Sequence, residues 1–212
     1  IATAILETDL TKDESIQKYG IDIFMTMTAI RSGGHLANVN LDKKLHTPSF
    51  NKLEYMFPQI ATSVLMSSID EFPFTGPADI GEESNILPDL NFNHKEAAKE
   101  MFDRAQNTIE SIQFQWLDGQ LLKDFRDVVA SNTEDQTKII NLWTDLLTEW
   151  FNYFHRLSLS RAEIKQAGQE LLPFFVLRAT NFWFWAETVE VAEVEKAIRQ
   201  QAELLRNKFK AV

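Results

Sequence analysis

The chain has 212 residues, 44% of them hydrophobic, enough to bury a substantial core in one domain or a domain with an appendage. Its formal net charge of −10 lacks the basic footprint that general nucleic-acid binding needs, although a metal ion or a local basic cluster still leaves room for an anionic ligand. With no cysteine there is no disulfide or thiolate chemistry, and no apolar run reaches the roughly 18–20 residues of a membrane span, so a cytoplasmic protein without a membrane segment is expected.

The chain starts at Ile1 with neither the basic n-region nor the long apolar h-region of a signal peptide. This start reads as the later part of a longer protein. Thr11-x-x-Glu14 fits a capping box and Gly33-Gly34 supplies a stop, which predicts a helix across about 13–32. Gly20 would lie inside it, at a cost of about 1 kcal/mol relative to Ala. Ile23, Met27 and Ile30 share one face, and Asp22 and Thr26 lie one turn apart on the neighbouring face. A carboxylate buried in this apolar run would cost several kcal/mol unless a partner met it. Paired with Lys18 on a solvated face, it would be routine.

Alternation of Val39 and Leu41 with Asn38, Asn40 and Asp42 predicts a small β element near 37–45, which leads to His46 in a loop flanked by Lys43 and Lys44. By itself His46 reads more simply as a structural or surface histidine. A helix from about 50 to 70 follows, with Leu53, Phe57, Ile60, Val64 and Met66 or Ile69 directed to the core. Residues 71–92 carry Pro73, Gly76, Pro77, Gly81 and Pro88 and read as a long loop.

Beyond it the chain reads as a succession of helices. Asn93-x-x-Glu96 opens one with Phe102, Ala105, Ile109, Ile112 and Trp116 on its apolar face, and Thr133-x-x-Gln136 opens another with Ile139, Trp143, Leu146, Trp150 and Phe154. Ser160-x-x-Glu163 opens a third, which Pro173 should kink or split. The last, about 186–209, presents Val191, Val194, Ile198, Ala202, Leu205 and Phe209. The aromatic groups Phe174-Phe175 and Phe182-Trp183-Phe184-Trp185 read as core or subunit contact, and His155 as a histidine at a helix end. His-Glu-x-x-His, Glu-x-x-His, phosphate-loop, dinucleotide-turn and nucleophile-elbow motifs are all missing.

Taken together, Tyr19-Gly20-Ile21-Asp22-Ile23, Leu41-Asp42-Lys43-Lys44-Leu45-His46 and Phe50-x-x-Leu53-x-x-Met56-Phe57 resemble the later half of GT-A glycosyltransferases of the mannosylglycerate synthase and glucosyl-3-phosphoglycerate synthase type. The detailed likeness covers about residues 17–65, with the helical character beyond residue 93 and Leu171-Leu172-Pro173-Phe174-Phe175-Val176-Leu177-Arg178 in keeping with it. The resemblance implies a mainly α chain that is the helical C-terminal region of a GT-A (α/β) enzyme: 1–70 the end of the catalytic region, 71–92 a loop, 93–212 a helical extension. It implies that His46 helps bind Mg²⁺ or Mn²⁺ and that Asp22 sits near the sugar-transfer centre. Thr26, Lys43 and Lys44 would then contact donor or acceptor. The implied reaction is retaining hexose transfer from a nucleotide diphosphate sugar to glycerate, phosphoglycerate or a similar small acidic acceptor, with a homodimer possible through the C-terminal helices. The metal would act as a Lewis acid on the diphosphate, and the carboxylate would steady an oxocarbenium-like centre. The family's Asp-x-Asp motif does not occur in this chain. A C-terminal fragment inactive alone is therefore expected. The competing reading is a helical interaction or oligomerisation domain without chemistry of its own.

Overall fold

The Ser160-x-x-Glu163 box forms as its sequence predicts. The Ser160 amide and hydroxyl both donate to Glu163 Oε2, at 2.7 and 2.6 Å, and the Glu163 amide donates back to Ser160 Oγ at 3.4 Å. It starts the longest helix of the computed structural model, which describes residues 16–31, 52–69, 95–130 and 135–210. Among the described residues there are seven helices and no strand: α1 (Ile21–Arg31), α2 (Leu53–Ile69), α3 (Lys95–Ser111), α4 (Gly119–Ala130), α5 (Gln136–His155), α6 (Arg161–Ala186) and α7 (Val191–Lys210). The expected mainly α class holds. The predicted β element near 37–45 and the loop at 71–92 lie outside the described residues.

The chain divides into two units: Ile1–Asn91 with Leu159–Gln169, and Phe92–Ser158 with Glu170–Val212. In the first, α1 packs on α2. Residues 16–20 form a turn rather than the predicted first turns of a helix. Gly20 therefore precedes α1, its carbonyl accepting the helix's opening bond from the Phe24 amide at 3.0 Å, and it bears no mid-helix penalty. On α2 the expected core residue Val64 is 37% exposed, and the buried side chains are instead Ala61, Thr62, Ser63 and Leu65. The reason is a close helix crossing. A Cβ added to Gly168 of α6 would lie 2.6 Å from the Pro58 carbonyl oxygen and 3.0 Å from Thr62 Oγ1. Only small side chains permit backbones to approach so nearly.

The second unit is filled by rings. Phe174 and Phe125 are wholly buried, and Phe174 meets Phe114, Trp116 and Phe125 edge-on with centroids 4.9, 5.6 and 5.7 Å apart. The Trp116 indole donates to Glu170 Oε2 at 2.9 Å, which meets the hydrogen-bonding need of a buried Trp. Phe151 of α5 contacts Phe209 of α7 at 5.1 Å, beside an ion pair between Lys208 and Asp145. His155 is the last residue of α5, as expected, with its ring stacked on Phe151.

Three boundaries differ from the sequence reading. The helix that begins near Asn93 stops at Ser111, where Ser111 and Thr108 hydroxyls bond to carbonyls of their own last turns; Ile112 is 45% exposed and the buried Trp116 sits in a turn. Asp118 then caps the separate helix α4, accepting from the amides of Gln120 and Leu121 at 2.8 and 3.1 Å. Helix α5 is capped by Asp135, whose side chain accepts from the Lys138 amide at 3.2 Å. Gln136, predicted to close a capping box, turns into the core instead. Pro173 does not split α6: burial of Leu171, Phe174, Val176 and Leu177 around it outweighs the roughly 3 kcal/mol proline penalty.

Candidate functional site

The Tyr19-Gly20-Ile21-Asp22 segment is seated on α2 by its backbone. The Tyr19 amide donates to Gln59 Oε1 at 3.1 Å, and Gln59 Nε2 in turn donates to the Tyr55 carbonyl at 3.1 Å, which sets the amide group's orientation. Tyr19 and Tyr55 meet edge-on at 5.8 Å, with Lys18 Nζ 5.5 Å from the centre of the Tyr55 ring. Two of the sequence segments that carry the resemblance are thus in direct contact.

From this seat Asp22 projects outward in the first turn of α1, where the positive end of the helix dipole favours a carboxylate. It is exposed, as is Thr26 one turn on, so the desolvation cost of a buried carboxylate does not arise. Ile23, Met27 and Ile30 are half-buried on the other face, in agreement with the helical reading. The exposed carboxylate oxygens of Asp22 are of the type that accepts from a ligand hydroxyl. Lys43, Lys44 and His46 lie outside the described residues. Among the described residues no group of three His, Cys, Asp or Glu side chains is gathered that could hold a metal ion.

A second polar constellation escaped the sequence reading. In the second unit Arg178, Gln136 and Asn181 are all buried, and Gln201 is half-buried. Arg178 Nη1 donates to Gln136 Oε1 at 3.3 Å and Nη2 to Gln201 Oε1 at 3.0 Å, while Gln136 Nε2 donates to Asn181 Oδ1 at 3.0 Å. The guanidinium carbon lies 4.7 Å from the centre of the Phe182 ring. Burial lowers the Arg178 pKa to about 10, so it remains a cation at neutral pH. The available signal was Arg178 and Asn181, three apart, breaking the apolar run from Leu171 to Trp185.

This cluster also explains the orientation of α7. Of the predicted stripe, Val194 is buried as expected, alongside Ala197, whereas Val191 and Ile198 face outward at 53% and 49% exposure. The inward stripe continues at Gln201 because the desolvated guanidinium requires an acceptor there. No helix among the described residues is long and apolar enough to cross a membrane. Comparison of the chain with protein-family profiles, with curated proteins and with solved structures returned no match.

Proposed function

We propose that this chain is the C-terminal part of a retaining, metal-dependent hexosyltransferase of the GT-A type, which moves a sugar from a nucleotide diphosphate donor to a small acidic acceptor such as glycerate or phosphoglycerate. The observation that carries this reading is the seat of the Tyr19–Asp22 segment on α2, with an exposed carboxylate at the start of α1. Asp22 holds the donor sugar or the acceptor near the transfer centre, and Thr26 supports it from one turn away. Lys43 and Lys44 meet anionic oxygens of either substrate. The divalent ion, Mg²⁺ or Mn²⁺, and its ligand His46 rest on the sequence resemblance alone, and a cytoplasmic setting rests on the lack of cysteine and of an apolar spanning run.

The test uses the full-length protein with nucleotide sugars, a divalent ion and small acidic acceptors. Asp22→Ala and His46→Ala are each expected to lower turnover by about 100-fold or more. Asp22→Ala should leave the melting temperature nearly unchanged, because an exposed side chain contributes little to stability. Full turnover in both variants discards the site assignment.

A second reading, a helical interaction or oligomerisation domain, is favoured by Val191 and Ile198, two large apolar side chains seven residues apart and exposed on α7. The two readings are compatible if the enzyme forms a homodimer through its C-terminal helices. A mass by light scattering, together with melting that ignores nucleotide sugar and metal, would favour the second over the first.

A further inference from the structure

Arg178 is 6% exposed, yet every acceptor it meets is a neutral amide oxygen. A guanidinium removed from water is ordinarily matched by a carboxylate, because dipoles compensate only part of a full charge. Among the described residues the surrounding positions offer none. One turn away on α6 are Phe174, Phe175, Asn181 and Phe182; flanking Gln201 on α7 are Ala197, Ile198, Leu204 and Leu205; beyond Gln136 on α5 come Ile139 and Ile140. The adjacent acid, Asp135, is exposed and uses its Oδ1 to cap its own helix at the Lys138 amide. Burial is what lowers the Arg178 pKa. The N-terminus of α5, at Gln136, adds further positive potential. Most telling, Arg178 Nε is buried and has no hydrogen-bond partner among the described residues.

We propose that Arg178 anchors a binding site for a small oxyanion, a carboxylate or a phosphate. Its Nε and Nη2 lie along one edge of the planar guanidinium, the fork through which arginine donates to the oxygens of such a group; Gln201 takes one N–H of Nη2, and the Nε–H is left over. Phe182 covers a face of that plane, and the Gln136 and Gln201 amides orient it, so the fork is fixed before the anion arrives. The site is independent of the sugar-transfer reading and uses none of its proposed substrate or metal contacts.

The experiment is thermal melting of the full chain at matched ionic strength in chloride, in inorganic phosphate and in malonate. Phosphate or malonate, at about ten times its dissociation constant, should raise the melting temperature by roughly 3–6 °C in a saturable manner, and the larger of the two shifts identifies the preferred oxyanion. Gln201→Glu places a carboxylate beside Nη2. It should raise the melting temperature in chloride and erase the difference between salts. Arg178→Met should erase it as well, and Gln201→Glu keeps the test decisive if that variant does not fold. The Arg178 Nε–H resonance should move on phosphate titration of the wild-type chain. Equal melting in all three salts overturns the proposal. So does a shift that persists in Gln201→Glu, since it would be the general stabilisation by excluded salts.

Discussion

The two units solve helix packing in opposite ways. In the first, α2 meets the opening turns of α6 through Gly168, with Ala61, Thr62 and Ser63 among the buried residues. There the backbones approach until a single methyl group has no room. In the second, Phe114, Trp116, Phe125 and Phe174 fill the core with edge-to-face rings. A packing based on close approach is vulnerable to added atoms, and one based on large rings is vulnerable to their removal. Polar groups follow the same division. The first unit presents Asp22 and Thr26 to solvent on α1, whereas the second encloses a guanidinium and must supply its acceptors from within.

Truncation in the ring-filled unit should give the largest loss of stability. Phe174→Ala is expected to cost about 3–5 kcal/mol in denaturant melts, because three rings lose their common neighbour and the cavity cannot fully collapse. Enlargement at the close crossing comes next. Gly168→Ala puts a methyl group 2.6 Å from a backbone carbonyl oxygen that cannot rotate away, at a cost of about 1–3 kcal/mol. If Gly168→Ala were neutral, or cost more than Phe174→Ala, the contrast between the units would fail.

The smallest effect is at the α6 cap, where Ser160→Ala should cost about 1 kcal/mol at neutral pH. Its pH dependence sharpens the assignment. Hydrogen bonds from the Ser160 hydroxyl, then from its backbone amide, hold the Glu163 carboxyl below its ordinary pKa of 4.5. A group whose folded pKa is depressed stabilises the fold above its unfolded value, and that contribution is lost as pH falls through the folded value. The gap between wild type and Ser160→Ala in urea melts should therefore be full at pH 7 and narrow below about pH 4.5. A gap that stays constant on acidification would show that Glu163 takes no part in the cap.

What could be read directly from the chain was local. The capping box at Ser160, the helix around Leu53–Ile69, the helical end at His155 and the burial of Phe174 all follow from nearest-neighbour chemistry and 3.6-residue periodicity. The exposed pair Asp22 and Thr26 was legible too, as a polar face beside Ile23, Met27 and Ile30. The errors fall where a local rule met a competing partner. Thr133-x-x-Gln136 looked like a cap, but Gln136 is claimed by Arg178 and Asn181, and Asp135 does the capping. Trp116 kept the spacing of a continuing helix, yet its indole is drawn to Glu170 from a turn.

The sequence by itself determined that this is a helical protein with an aromatic core, because periodicity, caps and ring content are properties of neighbouring residues. Only the tertiary structure decided which face of each helix is buried. Ile198 points outward and Gln201 inward because Arg178, twenty-three positions from Gln201, needs an acceptor out of water. Val64 is exposed because Gly168, far along the chain, meets α2 at Pro58 and Thr62 and so turns a different face of the helix inward. Periodicity identifies an apolar face to within a residue or two, but the rotation that settles it depends on the groups it meets, and those arrive from distant parts of the chain.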